Sequence, residues 1–163
     1  MTKSSLITDE ALALIGKETE PVTQEVTAKD IRRFCYAVGD LNPLYLDEEY
    51  ARQTSFGRTI APPMFFDIPT MPEYPLDQLS RDGLPQTSLM PPLRAIRNMA
   101  GGNEVEFFQP IRIGDRITRV SKIAEIYEKE GRSGPLVFTV YESRYSNQDG
   151  QLVALERLTG ISW

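Results

Sequence analysis

The 163-residue chain contains no histidine. Any mechanism that needs an imidazole from within the chain is thereby excluded, whether Ser-His, Cys-His or Asp-His. It contains one cysteine, Cys35. That rules out an internal disulfide, leaves no usual ligand set for a zinc ion and suits a reducing cytoplasm. Long apolar runs are also missing. No stretch approaches the roughly 18 residues that mark a membrane-spanning helix. The polar start Met1–Asp9 lacks the basic, apolar and cleavage-site succession of a signal peptide. The expectation is a cytoplasmic protein that does not engage a membrane. Basic residues are outnumbered by acidic ones, 18 to 23, for a formal charge of −5. Nucleic-acid binding needs a basic face and is not expected, whereas a small anion held by a few local arginines stays compatible.

What is present has the profile of one globular domain with a full core: 40% hydrophobic and 25% charged residues over a length that suits a single domain. Residues 1–20 read as a lead-in with a short helix around Asp9–Ile15. Val22, Gln24 and Val26 mark a first strand. Thr27 offers an N-cap, with Asp30 placed to reach back to it. Ile31, Phe34, Cys35 and Val38 then fall at i, i+3, i+4 and i+7, one apolar helix face that Gly39 terminates. Asp40-Leu41-Asn42-Pro43 is a rigid turn, Leu46–Gln53 a short helix, and Pro62-Pro63 can open a helix with an apolar body at Met64–Ile68. An irregular, proline-rich insert covers about 69–100, either a surface excursion or a segment with a lid or partner-binding role. From Asn103 the period becomes that of strands: Glu104–Gln109, Arg116–Tyr127, Leu136–Tyr145 and Leu152–Trp163, with turns at 131–134 and at Asn147–Gly150. Helices first and an antiparallel meander after them predict an α+β domain over residues 21–163.

Three segments go beyond pattern. Gly39-Asp40-Leu41-Asn42-Pro43-Leu44-Tyr45 resembles the D-x-N-P-x-H motif of the MaoC-like (R)-specific enoyl-CoA hydratases. Ile60-Ala61-Pro62-Pro63-Met64 resembles the I-V-H-G-M segment of that family. Glu106 to Asp115 resembles its F-x-x-P-V-x-x-G-D strand entry. Their order and spacing cover most of residues 20–163. The Ala61-Pro62-Pro63-Met64 stretch, with Gly134-Pro135-Leu136-Val137-Phe138 and Asn147-Gln148-Asp149-Gly150, is most similar to the FAS1-like dehydratase, or MaoC N-terminal, subgroup. The resemblance implies a hot-dog fold, an antiparallel sheet wrapped around a central helix, in which two domains pair sheets edge to edge. It also implies hydration of an enoyl thioester carried by coenzyme A or an acyl carrier protein, with no further cofactor. Subgroup members are half of a tandem chain or one subunit of a heterodimer.

Matched position by position, the resemblance places the motif aspartate on Asp40 and the asparagine on Asn42, and it sets Tyr45 where the histidine belongs. The glycine whose N–H holds the enolate oxygen falls on Pro63. A phenol of pKa about 10 is a poor base beside an imidazole near 6.5, and proline has no N–H to donate. Losing a general base costs roughly 10²–10⁴ in rate and losing an oxyanion donor roughly 10²–10³. The preferred expectation is a degenerate subunit that supplies tunnel and interface to a histidine-bearing hot-dog partner. The other readings are a self-sufficient hydratase using Asp40 and Tyr45, or Asp40 alone, and a non-catalytic acyl-CoA-binding protein. Pro62, Pro63, Met64 and Phe65 are candidates for lining the acyl tunnel, although Met64 and Phe65 equally suit the core. Arg97, with Arg94, is a candidate for the carrier's phosphates. Asp40 could equally cap its turn, and Tyr45 could be a packed ring. Whether the acyl group is fatty, steroid side-chain or branched dicarboxylic stays open.

Overall fold

The computed structural model describes residues 5–81, 83 and 89–163. After a short helix α1 (Asp9–Leu12) come strand β1 (Val22–Glu25), helix α2 (Ala28–Val38) and two brief helices, α3 (Pro43–Leu46) and α4 (Glu48–Arg52). Four longer strands follow: β2 (Asn98–Phe107), β3 (Arg116–Gly131), β4 (Gly134–Ser146) and β5 (Leu152–Ser162). They form one antiparallel five-stranded sheet in the order β1-β3-β4-β5-β2. This is the α+β, hot-dog arrangement anticipated above. No helix among the described residues is long and apolar enough to cross a membrane.

Helix α2 is the element that seats itself against the sheet. Thr27 caps it, accepting the Asp30 N–H at 3.2 Å while its hydroxyl donates to the Asp30 carboxylate at 2.5 Å. Its C-cap Gly39 takes φ 74°, a left-handed conformation that a side chain would strain. Ile31 and Cys35 are fully buried against Phe65, Phe66, Tyr145 and Ala154, and Phe34 packs at the edge of this core. Burying a side chain the size of Ile31 contributes on the order of 1.5–3 kcal/mol. Val38, the last member of the predicted face, is 57% exposed, in the last turn of the helix next to its glycine cap. A second core, Ala11, Ile123, Ile126 and Val137, is covered by the N-terminal segment and by Leu89 and Leu93.

Three local expectations need correction. The helix expected over Leu46–Gln53 is α4, Glu48–Arg52: it starts later because Asp47 is extended and its carboxylate caps it by accepting the N–H groups of Glu49 and Tyr50, while Leu46 ends α3. The segment after Pro62-Pro63 is not an α-helix but two 3-10 turns, Pro63–Phe65 and Ile68–Thr70. Pro69 removes an N–H from any α-helical ladder there and disfavours helical backbone at the residue before it. Cover for the sheet therefore comes from α2 and from Phe65 and Phe66 on these turns. Finally, β2 begins at Asn98 rather than near 103. Its early residues lack the alternation of a strand and are held by pairing with β5, with a bulge between Ala100 and Gly102. A Cβ at Gly101 would lie 2.8 Å from the Ile161 side chain and 3.1 Å from the Thr159 carbonyl, so a larger residue there would make its neighbours shift. Residues 82 and 84–88 of the proline-rich insert lie outside the described residues.

Candidate functional site

The D-x-N-P segment is built by its own side chains. Asp40 accepts the Asn42 N–H at 3.3 Å, and Asn42 accepts the Leu44 N–H at 3.0 Å, which caps α3 with Pro43 at its first position. Asp40 and Asn42 are exposed, and Tyr45 is half-buried at the edge of the core. Burial pushes the Tyr45 phenol above its usual range, and the nearby Asp40 charge and Cys35 push it further. Both effects stabilise the neutral phenol, so less phenolate is available at neutral pH than for a free tyrosine.

Backbone contacts join this segment to the proline pair. The Ile60 N–H donates to the Leu44 carbonyl at 3.4 Å, and the Ala61 N–H to the Ile111 carbonyl at 2.8 Å. Beyond them lies a mostly apolar cleft of about 250 Å³ lined by Phe56, Ile60, Pro62, Pro63, Phe66, Phe107, Phe108 and Pro110. Pro62 is buried and Pro63 exposed. Tyr45 is not among the residues that line this cleft; with Thr59 and Ile113 it lines a separate depression.

Of the remaining predicted positions, Met64 is 53% exposed and outside the cleft lining, and Phe65 is fully buried, edge-on to Phe34. Arg97 flanks the start of β2, hydrogen-bonded through its backbone to Trp163. The cleft lies at the other end of that ten-residue strand, roughly 30 Å away along extended chain. Arg94 donates to the Ser5 carbonyl at 2.9 Å. The structure thus brings Asp40, Asn42 and Tyr45 together, places Pro62 and Pro63 in the neighbouring cleft, and sets Arg94 and Arg97 apart from both.

Two features were not singled out from the sequence. Behind Phe66, the Tyr145 hydroxyl donates to Glu156 at 3.0 Å, and the Asn103 amide donates to the same carboxylate at 2.8 Å. Burial raises the Tyr145 pKa beyond the usual range, with Glu156 adding to the effect. Asp67 is also raised, first by burial and then by Glu156. The second feature is the pair Arg58 and Arg112 beside Phe56.

The model of the FAS1-like, dehydratase domain region matches residues 13–156. Among curated relatives, the chain is 41% identical over 78 residues to mesaconyl-C(4)-CoA hydratase of Chloroflexus aurantiacus, covering 47% of this chain and 28% of that protein. It is 31% identical over 135 residues to a probable enoyl-CoA hydratase alpha subunit of Thermomonospora curvata, covering 78% and 41%. The chain therefore spans less than half the length of either. Among solved structures, a chain of the ChsH1-ChsH2 complex from Mycobacterium tuberculosis shares its fold, with TM-score 0.77 and 18% identity over 95% of this chain and 94% of that one. On the family match over most of its length, the chain belongs to the FAS1-like dehydratase domain family within the MaoC-like hot-dog proteins.

Proposed function

We propose that this chain is one subunit of a heteromeric enoyl-thioester hydratase, or 3-hydroxyacyl-thioester dehydratase in the reverse sense, and that its own copy of the catalytic motif is degenerate. What supports the reading is a pair of departures from the family motifs in a chain with no histidine: Tyr45 falls where the resemblance sets the histidine, and Pro63 where it sets the oxyanion glycine. Hydration needs a base for the water proton and a donor for the enolate oxygen. The raised phenol of Tyr45 supplies the first poorly, and Pro63 cannot supply the second.

A partner subunit with an intact D-x-N-P-x-H motif provides both groups in this reading. This chain provides the apolar cleft around Pro62 and Phe107, and the sheet edge to which the partner pairs. Strand β2 is an edge strand exposed along nearly its whole length, with Met99 and Phe107, and Phe108 just beyond it, 53%, 47% and 43% exposed. An uncovered edge of this length is an association surface, and pairing removes its aggregation hazard. The relatives and the structural neighbour support the reading, because two are hydratases or hydratase subunits and one is a complex.

The test is co-expression with a neighbouring-gene hot-dog subunit that carries the intact motif. The expected result is a stable complex that hydrates crotonyl-CoA, with activity abolished by replacing the partner's motif histidine and unaffected by Tyr45→Phe in this chain. Loss of activity in Tyr45→Phe would contradict the assignment of chemistry to the partner.

A further inference from the structure

At the opposite end of β2 from the cleft lies a second, larger cavity of about 510 Å³. Residues 90–93 of the insert line it, together with Thr139, Tyr141 and Gly160 of the sheet. Asn98 and Ser162 also line it, joined by a hydrogen bond from the Ser162 hydroxyl to the Asn98 side chain at 2.7 Å. Among the described residues the two cavities share no lining member. On β5 the cleft takes Val153 and this cavity Gly160, and Glu156, hydrogen-bonded to Tyr145 and Asn103, falls between them.

The part contributed by the insert is anchored. The Thr8 hydroxyl donates to the Pro92 carbonyl at 2.7 Å, and the Arg94 N–H donates to the Leu6 carbonyl at 2.9 Å. Leu93 and Tyr141 both pack against the second core. Pro91 and Pro92 have fixed φ and stiffen the backbone between these anchors. The cavity is therefore a built feature of the fold, and its volume is in the range of small-molecule sites.

Its chemistry is uncharged. No Asp, Glu, Lys or Arg lines it among the described residues, so an ion entering it would lose hydration without gaining a counter-charge. Hydroxyls are present instead. Burial holds the Tyr141 phenol neutral. Beside that phenol, Thr139 is 2% exposed and its hydroxyl makes no well-formed hydrogen bond among the described residues. Buried hydroxyls are costly to leave in that condition, and nearly all have a partner. Gly160 places no side chain against the Tyr141 ring, where a Cβ would lie 3.6 Å from Cε2.

We propose that this cavity is a second ligand site, which takes a neutral molecule carrying a hydroxyl or carbonyl group on an apolar body. Thr139 donates to the Tyr141 oxygen, and the Tyr141 O–H donates to the ligand oxygen. Leu93 and the two prolines face the apolar body. The site uses no residue of the D-x-N-P segment or of the proline pair at 62–63, so it stands or falls apart from the hydratase reading.

Equilibrium dialysis of the purified chain against 2-naphthol, naphthalene and 2-naphthoate at neutral pH tests this, since the first two probes are neutral and the third is an anion. 2-Naphthoate should bind roughly tenfold or more weakly than 2-naphthol. Tyr141→Phe removes only the hydroxyl; it should weaken 2-naphthol roughly fivefold and leave naphthalene unchanged, which also shows that the variant is folded. Gly160→Val fills space beside the ring and should weaken both neutral probes. Gly160 is not among the positive-φ glycines, so valine suits its strand backbone and provides a second variant of the same site. Crotonyl-CoA should not displace 2-naphthol.

Absence of saturable 2-naphthol binding, or 2-naphthoate bound as tightly, overturns the proposal. So does 2-naphthol binding undiminished in both variants. Displacement by crotonyl-CoA overturns it as well, because the cavity would then belong to the substrate path.

Discussion

At position 45 a phenol stands beside Asp40, and both burial and that charge hold it neutral. At position 63 a proline removes the backbone donor. If these two side chains are what disable the site, Tyr45→His alone should restore little. Tyr45→His combined with Pro63→Gly should raise crotonyl-CoA hydration above background in a steady-state assay, by roughly the 10²–10⁴ attributable to a base. A double variant as inert as the parent would show that more than these two groups has been lost.

Two carboxylates give opposite pH signatures. Asp67 has a folded-state pKa raised by burial and by Glu156. Its stabilising protonated form is complete below the unfolded value near 4 and is lost as pH rises through the raised folded value. At neutral pH its charge is therefore a cost, and Asp67→Asn should stabilise the chain, with the gain vanishing in acid. Glu142 is lowered, chiefly by its hydrogen bond to Lys122 and then by Arg157, both at 3.0 Å. Its contribution is present above the unfolded value and disappears as pH falls through the lowered one. Glu142→Gln should cost roughly 1 kcal/mol at neutral pH, given partners 29% and 56% exposed, and nothing in strong acid. Urea melts of both variants across pH check the two signs.

At the scale of elements, α2 depends on its two ends. Thr27→Ala and Gly39→Ala should each lower stability by about 1 kcal/mol, the first through a lost cap and the second through a left-handed φ of 74°. On β4, the hydroxyl of Thr139 is buried beside the Tyr141 phenol and makes no well-formed hydrogen bond among the described residues. Thr139→Val keeps its volume and should change stability by no more than about 1 kcal/mol in the same melts.

These elements also show how far the residues alone could be read. The spacing of Ile31, Phe34 and Cys35 predicts α2, and Asp149-Gly150 predicts the turn before β5, because both signals are local. The turns after Pro63 depart from the helical reading because Pro69 acts on the backbone ahead of it. The early part of β2 is a strand only because β5 pairs with it, and nothing in Asn98–Gly102 announces that. The substituted motif was equally local, hence legible. Arg58 and Arg112 were not, since each finds its carbonyl 55 or 56 positions away in the sequence.

For the molecule as a whole, the sheet ends in an exposed strand, the cleft opens beside it, and the chain spans less than half the length of two of its hydratase relatives. In the reading proposed above, the exposed edge is where the histidine-bearing subunit pairs. Purified alone, the chain has no imidazole in any oligomer it could form with itself. The direct measurement is crotonyl-CoA hydration by this chain at high concentration, with and without the histidine-bearing subunit. The account predicts a background rate for the chain alone and enzymatic turnover once the second subunit is added. Enzymatic turnover by the chain alone would contradict it.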